Sequence, residues 1–372
     1  MKLNNWVKDI KRLRINRPTT DEFKRLDFAE RTINFDKIFF KKFISSITQE
    51  DLITYPSYKD YLEIRKLIAK NNQCNLKNVY FDAGSDACIK NFIHLFCKKN
   101  SNIISSTPSF PMYKIYSQFY QTRFIGVKYD KNLNLDLKKI IKKINKKTSF
   151  VLLTNPNSPF GDYKKTKEIE AFCKTLKKKN IPLLLDEAYV DFAPSSSIKL
   201  IKKYNNLFIL RTLSKSWGGA GIRFGYIIGN KTIVNLLNNL QLTYPISNIS
   251  LKFAKYLFEN KKINKKYSDQ TKKNREFICK ILKKYNYDVV NSHTNSIHLH
   301  EKEGDNSKTI NRLKKNGFAF KFGSKKTGTK VEIPGDNRRN WIRLSIGSSK
   351  DKNLIKIFKL NTKKKNKSYF SN

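Results

Sequence analysis

Acidic residues are scarce in this chain: 30 Asp and Glu stand against 76 Lys and Arg, a net charge of +46 over 372 residues. Such an excess invites a nucleic acid or another polyanion as partner. The lysines, however, are spread along the chain, as in KKINKK at 142–147, KTLKKK at 174–179, KKINKK at 261–266 and KKKNK at 363–367. Zinc-ligand spacing, a helix-turn-helix signal and an RNA-binding strand motif are all lacking. The charge therefore reads as solvated helix faces in a protein also rich in Asn, Ile, Phe and Tyr, and a nucleic-acid partner is not expected.

Cysteine is equally sparse. The five residues, at 74, 88, 97, 173 and 279, form no C-x-x-C and are odd in number, which argues against a disulfide scaffold and for reduced thiols. No stretch reaches the about 20 apolar residues of a membrane helix, and the basic N-terminus has no apolar signal core. A cytoplasmic protein without a membrane partner is the expectation. His293, His298 and His300 lie close together, and the last two share one side of a strand. With no other ligand types beside them they read as strand side chains rather than a metal site. Internal repeats are missing.

What is present is an alternation. Apolar strand patterns near 78–82, 102–106, 124–127, 149–153, 182–186, 206–210 and 224–229 are separated by helical patterns such as 57–71, 84–98 and 164–178. This predicts an α/β fold, a mostly parallel seven-stranded sheet sandwiched by helices. Residues 1–36 read as an N-terminal arm, 37–255 as a large domain and 256–360 as a smaller α+β lobe. In that lobe a long basic helical stretch precedes strands near 295–300 and 341–346 and a last helix near 350–360. Residues 361–372 form a lysine-rich tail expected to be disordered.

Chemistry concentrates at the strand ends. SKSWGGAGIRFGY sets Lys215 between Ser214 and Arg223 in a glycine-rich turn. A lysine that condenses with an aldehyde must attack as the neutral amine, which burial or neighbouring cations favour. Hydroxyl, guanidinium and glycines beside it suit the phosphate of pyridoxal 5'-phosphate (PLP). IPLLLDEAYVDF places Asp186 at the carboxyl end of a buried strand, where α/β sheets hold ligands, with Tyr189 three residues on. Such a carboxylate suits the pyridinium nitrogen of that cofactor. TSFVLLTNPNSPFGD ends its strand on Asn155, Asn157 and Ser158 between prolines. NVYFDAGSDACIKNFIHLF runs from strand through Gly84-Ser85-Asp86 into a helix whose first turn is a ready phosphate seat. Taken alone, Asp86 there is also a plain helix cap.

In chain order, from Gly84-Ser85-Asp86 to Ser214-Lys215, the four motifs resemble the fold-type I PLP-dependent aminotransferases, and among them the histidinol-phosphate aminotransferase subfamily, from about Leu26 to Phe358. The resemblance implies that Lys215 is the Schiff-base lysine and proton shuttle, that Asp186 partners the pyridine nitrogen and that Tyr189 bonds the cofactor's phenolic oxygen. Backbone N–H groups of Ser85 and Asp86, with Ser214 and Arg223, correspond to the phosphate cup. In PSFPMYKIY, Phe110 stands where the family stacks a tyrosine on the ring. Tyr55, in LITYPSYKDY, matches a tyrosine that reaches the cofactor of a neighbouring subunit, so a homodimer with shared active sites is implied. Tyr244 in LTYPIS borders the same site. Arg343, in NWIRLSIG, matches the arginine that grips a substrate carboxylate. The implied reaction is ping-pong transfer of an amino group between a small-molecule amino donor and a 2-oxo acid acceptor, with glutamate and 2-oxoglutarate as the usual pair.

Two departures stand out. The family's Asn-Pro-Thr-Gly is Ser158-Pro159-Phe160-Gly161 here, so the contact to the phenolic oxygen falls to Ser158, to a water or to Asn157. The family's Asn-Glu-Asn-Pro is Ala29-Glu30-Arg31-Thr32, which bears on the substrate. Arg31, Arg338 and Arg339 read as surface charge. Three other readings remain: a decarboxylase of the threonine-phosphate type, an aminotransferase taking a bulkier substrate, and a basic nucleic-acid-binding protein on an inactive scaffold.

Overall fold

The structure is a computed structural model that describes residues 5–10, 23–323, 333–334, 336–338, 340–348 and 350–362. Pro18, Arg339 and residues 363–372 of the basic tail lie outside the described residues. Seven strands form the main sheet: β1 (Val79–Ala83), β2 (Asn102–Thr107), β3 (Arg123–Lys128), β4 (Thr148–Thr154), β5 (Leu183–Asp186), β6 (Leu207–Thr212) and β7 (Phe224–Ile228). Their spatial order is β1-β7-β6-β5-β4-β2-β3. All neighbours pair in parallel except β7, which runs antiparallel to both β1 and β6.

The central strands are apolar without interruption because helices cover both faces. Val151–Leu153, Leu183–Leu185 and Leu207–Leu210 are all buried. One face packs under Ile169, Phe172 and Leu176 of Thr166–Lys178; the other packs under Ile89, Phe92 and Ile93 of α1 (Gly84–Phe96). Strand-to-helix alternation thus brings the carboxyl ends of the parallel strands to one edge of the sheet, where loops rather than core decide the chemistry.

The stretch expected to begin a long helix near 256 is broken at Asn260 into Asn248–Glu259 and α2 (Lys261–Lys284). α2 leads to a four-stranded antiparallel sheet, order β10-β11-β9-β8, from β8 (Tyr287–Val290), β9 (Ser296–Glu301), β10 (Lys321–Phe322) and β11 (Ile342–Ser345). Ile297, Leu299, Ile342 and Leu344 turn to a core with Leu282, Leu313 and Phe358. Period-two alternation therefore puts Ser296, His298, Arg343 and Ser345 on the opposite face.

The N-terminal segment is stitched to this lobe. Lys24–Arg25 pairs in parallel with Phe318–Ala319, Ser345 N donates to Leu26 O at 2.8 Å, and Ala29 N donates to Ser345 Oγ at 2.8 Å. Among the described residues no helix is long and apolar enough to cross a membrane.

Candidate active site

Asp186 closes β5 and is 4% exposed. Its Oδ1 accepts from Ala188 N at 2.9 Å and its Oδ2 from Tyr113 Oη at 2.6 Å, while Tyr113 Oη lies 2.8 Å from Thr154 Oγ1 at the end of β4. Burial pushes the Asp186 carboxyl up to about 6, against these hydrogen bonds and the charge of Lys215. Burial, then Asp186, also holds the Tyr113 phenol well above its usual range. Tyr113 was not singled out from the sequence; its signal was its place three residues after Phe110, one turn along the helix Met112–Phe119. Phe110 sets its ring edge-on to Tyr113, with centroids 5.6 Å apart.

Lys215 Nζ donates to Phe28 O at 3.2 Å and lies 5.4 Å from the centroid of the Tyr189 ring. For Tyr189, burial raises the phenol, yet the charges of Lys215 and Arg343 and a hydrogen bond with Ser158 outweigh it and leave it below its ordinary value. Ser158 therefore faces Tyr189. Asn157 is fully buried and turned the other way, with Nδ2 donating to Ser106 Oγ of β2 at 3.3 Å. Beyond Lys215, Ser216 Oγ donates to Asp191, which also accepts from Asn264 Nδ2 of α2 at 3.2 Å, so the lysine loop is tied to the helix that carries the small lobe.

A second corner joins α1 to β7. The start of α1 has no side-chain cap. A Cβ on Gly225 would lie 2.1 Å from Ser85 N, so only a glycine lets the strand backbone approach the helix start this closely. A Cβ on Gly84 would meet Arg223 Nη2 at 2.7 Å. Arg223, at φ +50°, reaches Ser214 Oγ at 3.5 Å and Ala220 O at 3.3 Å. Ser85, Asp86, Ser214 and Arg223 thus share one corner, where N–H groups, helix dipole and guanidinium favour an anion.

The third part comes from the small lobe. Arg343 Nε donates to Ser296 Oγ at 3.4 Å, and its register partners are Lys321 on β10 and His298 on β9. Burial, then the Arg343 charge, holds the Lys321 amine down at about 8, with Nζ 4.3 Å from the Phe28 ring centroid. Lys321 escaped the sequence reading because no strand was expected at 318–322. Its alternation FAFKF is too short to register.

Arg31 is not surface charge. Its guanidinium lies between the rings of Phe35 (4.5 Å) and Tyr267 (4.2 Å), and a Cβ on Gly218 in the lysine loop would touch its Cδ at 2.5 Å. The planar cation finds two aromatic faces there, which a solvated position lacks. Arg338 does behave as surface charge, paired with Asp288 and Asp336 at 2.7 Å each. Tyr55 stays outside this chain's own cluster: it is 76% exposed and stacks on Tyr244 at 4.4 Å.

A sequence model of aminotransferases of class I and II matches residues 25–356. The histidinol-phosphate aminotransferase of Clostridium novyi is 28% identical over 92% of this chain and 92% of its own. The structure of histidinol-phosphate aminotransferase from Sinorhizobium meliloti in complex with pyridoxal-5'-phosphate superposes with a TM-score of 0.76 at 18% identity, covering 90% of this chain and 89% of that one. L-threonine-O-3-phosphate decarboxylase from Porphyromonas gingivalis gives 0.71 at 20%, covering 91% and 98%. The two solved structures share the fold, and the sequence match spans both the large sheet and the small lobe: this chain belongs to the class I and II aminotransferases.

Proposed function

We propose that this aminotransferase holds PLP at the large-sheet end of the site. There it passes an amino group between an amino acid or amino-phosphate and the 2-oxoglutarate/glutamate pair. The observation that carries the reading is Asp186, a carboxyl that burial raises to about 6 despite the charge of Lys215, on the same side as Lys215 and Tyr189. A protonated pyridine nitrogen is the partner such a group lacks. The Gly84–Gly225 approach supports the fit at the other end, since it leaves the first turn of α1 and Arg223 for a phosphate.

When bound, PLP supplies an aldehyde that accepts the amino group and a ring that draws electrons from the substrate's Cα. The Lys215 amine receives the proton leaving Cα and returns it. Asp186, held by Tyr113 and Ala188 N, keeps the ring nitrogen charged. Tyr189 and Ser158 bond the phenolic oxygen, a role the geometry favours for Ser158 over the inward-turned Asn157. Phe110 lays its ring beside the cofactor. Arg343 takes the substrate's carboxylate, and Lys321 adds a second cation that suits a phosphate. Side by side, the two cations would meet a single acidic group, the carboxylate of glutamate or the phosphate of a substrate of the histidinol-phosphate kind.

We also propose a homodimer. Leu52, Ile53, Tyr55, Tyr58, Leu242 and Tyr244 are all exposed, and Tyr55 stacks on Tyr244, apolar side chains that a second copy would cover. Tyr55 would then address the phosphate of the other copy's cofactor. The five cysteines, all free, accord with a cytoplasmic site of action.

The test mixes PLP-loaded protein with glutamate and follows cofactor absorbance. Conversion to the amine form is expected, and Lys215→Ala should slow it by about 10³-fold or more. Borohydride should fix the cofactor to Lys215 in peptide maps. Carbon dioxide release without amine-form cofactor would replace the reading with a decarboxylase. Polyanion binding that persists in Lys215→Ala, disappears with salt and needs no cofactor would replace it with a nucleic-acid scaffold.

A further inference from the structure

His298 stands on β9 directly opposite Arg343, on the face turned away from the small-lobe core. Cross-strand partners of this kind carry Cβ atoms about 5 Å apart. The ring is 1% exposed, and among the described residues neither Nδ1 nor Nε2 has a hydrogen-bond partner. Its flank is closed by Phe160, whose ring meets it edge-on at 5.8 Å and stands where the resemblance expects a threonine. A buried imidazole with both nitrogens idle lowers stability unless it is used. Beside it, among the described residues, Arg343 has one side-chain hydrogen bond, a long one to Ser296. Burial, then Arg343, pushes the imidazole down to about 3, so it is neutral and retains an acceptor nitrogen at working pH.

We infer that His298 is a positioning residue: its imidazole accepts an N–H of Arg343 when the guanidinium turns to take the substrate's acidic group, fixing the orientation of the fork. Arg343 offers five N–H donors. A carboxylate uses two of them in a parallel pair, which leaves others free for a lateral acceptor. Ser296 and His298 then both hold the guanidinium, and the fork keeps the orientation that the acidic group needs while it is bound. The inference rests on the assignment of Arg343 as the acid-binding residue.

The test uses full-length PLP-loaded protein, with glutamate as substrate and maleate as an unreactive dicarboxylate whose Kd is read by calorimetry. For His298→Leu we expect the maleate Kd and the glutamate KM to rise about tenfold, with kcat within about twofold. The melting temperature should rise by about 2 °C, because an idle polar ring has left the interior. His298→Gln, which restores an acceptor of similar reach, should recover most of the affinity. Arg343→Gln serves as the control. If it weakens maleate while His298→Leu does not, the positioning role is wrong and Arg343 stands. If Arg343→Gln leaves maleate binding intact, the assignment of Arg343 falls first and takes the inference with it. Affinity and melting temperature lost together in His298→Leu, without recovery in His298→Gln, would mark a purely structural residue and also overturn it.

Discussion

At the large-sheet end of the site, polar groups already hold one another: Thr154, Tyr113, Asp186 and Ala188 N form one chain of hydrogen bonds, and Thr212, Ser214 and Arg223 form another. At the small-lobe end, Lys321, Arg343 and His298 lie side by side across three strands. The carboxylate that acts on Lys321 is Asp27, already bonded to Arg25 at 3.3 Å. The first end is assembled in advance, so a rigid cofactor finds its contacts with little reorganisation. The second keeps its positive charge unspent. Burial, then the Arg343 charge, depresses the basicity of both Lys321 and His298. One end is built for a resident group, the other for a visitor.

The largest effect should come from breaking the preassembled end at its acid. Asp186→Asn leaves the geometry and removes the charge that keeps a ring nitrogen protonated, and we expect turnover to fall by about 10²–10³-fold. The same residue leaves a pH signature without cofactor. Its folded value is raised to about 6, so the folded state grips this proton more firmly than the unfolded chain does. That contribution is complete below about pH 4 and is lost as pH climbs through about 6. Its size is about 3 kcal/mol. Urea unfolding of the cofactor-free protein between pH 4 and 8 should show the decline, and Asp186→Asn should flatten it. Equal pH slopes in the two proteins would mean that Asp186 is not the strained acid described.

Gly225→Ala tests the same end by shape. The added methyl would land on Ser85 N, so the start of α1 must retreat from β7. We expect about 1–3 kcal/mol of lost stability. PLP retention on gel filtration should also fall, because the N–H groups aimed at the phosphate move with the helix. Unchanged retention would place the phosphate elsewhere.

The same contrast explains what the sequence could disclose. Lys215, Asp186, Tyr189, Ser85, Ser214 and Arg223 sit at the ends of long apolar strands, next to glycines and turns, so local pattern alone marks their positions. All seven strands of the main sheet lie within two residues of the expected ranges; all but the largely exposed edge strand β3 are buried on both faces, which writes burial into consecutive residues. Lys321, His298 and Arg31 matter only through neighbours far away in the chain: Arg343 for the first two, Phe35, Gly218 and Tyr267 for the third. The strand of Lys321 is short and Arg31 lies in no helix or strand; for His298 a strand is expected near 295–300 but not its pairing with Arg343, and a lone lysine in a chain with 76 basic residues carries no signal. The Asn157–Ser158 ambiguity was of the same kind. Adjacent residues in a turn point apart, and only the fold reveals that one meets Ser106 and the other Tyr189.

The smallest effect concerns the second cation of the visiting end. Lys321 is held near 8, so at neutral pH most molecules carry the charge and above pH 8 most do not. A bound anion stabilises the charged form and raises that value, which is equivalent to saying that deprotonation weakens the anion. KM for the acidic substrate should therefore climb as pH passes 8. Lys321→Met should remove that limb and raise KM at pH 7 by about threefold to tenfold, more for a phosphate dianion than for a carboxylate. Arg343 remains in place, so kcat should hold. Because the lost term is Coulombic and Lys321 is only half-buried, the gap between the two proteins should narrow modestly as salt is added. A KM that ignores both pH and salt in the parent protein would remove Lys321 from the site and leave Arg343 as the acid-binding group there.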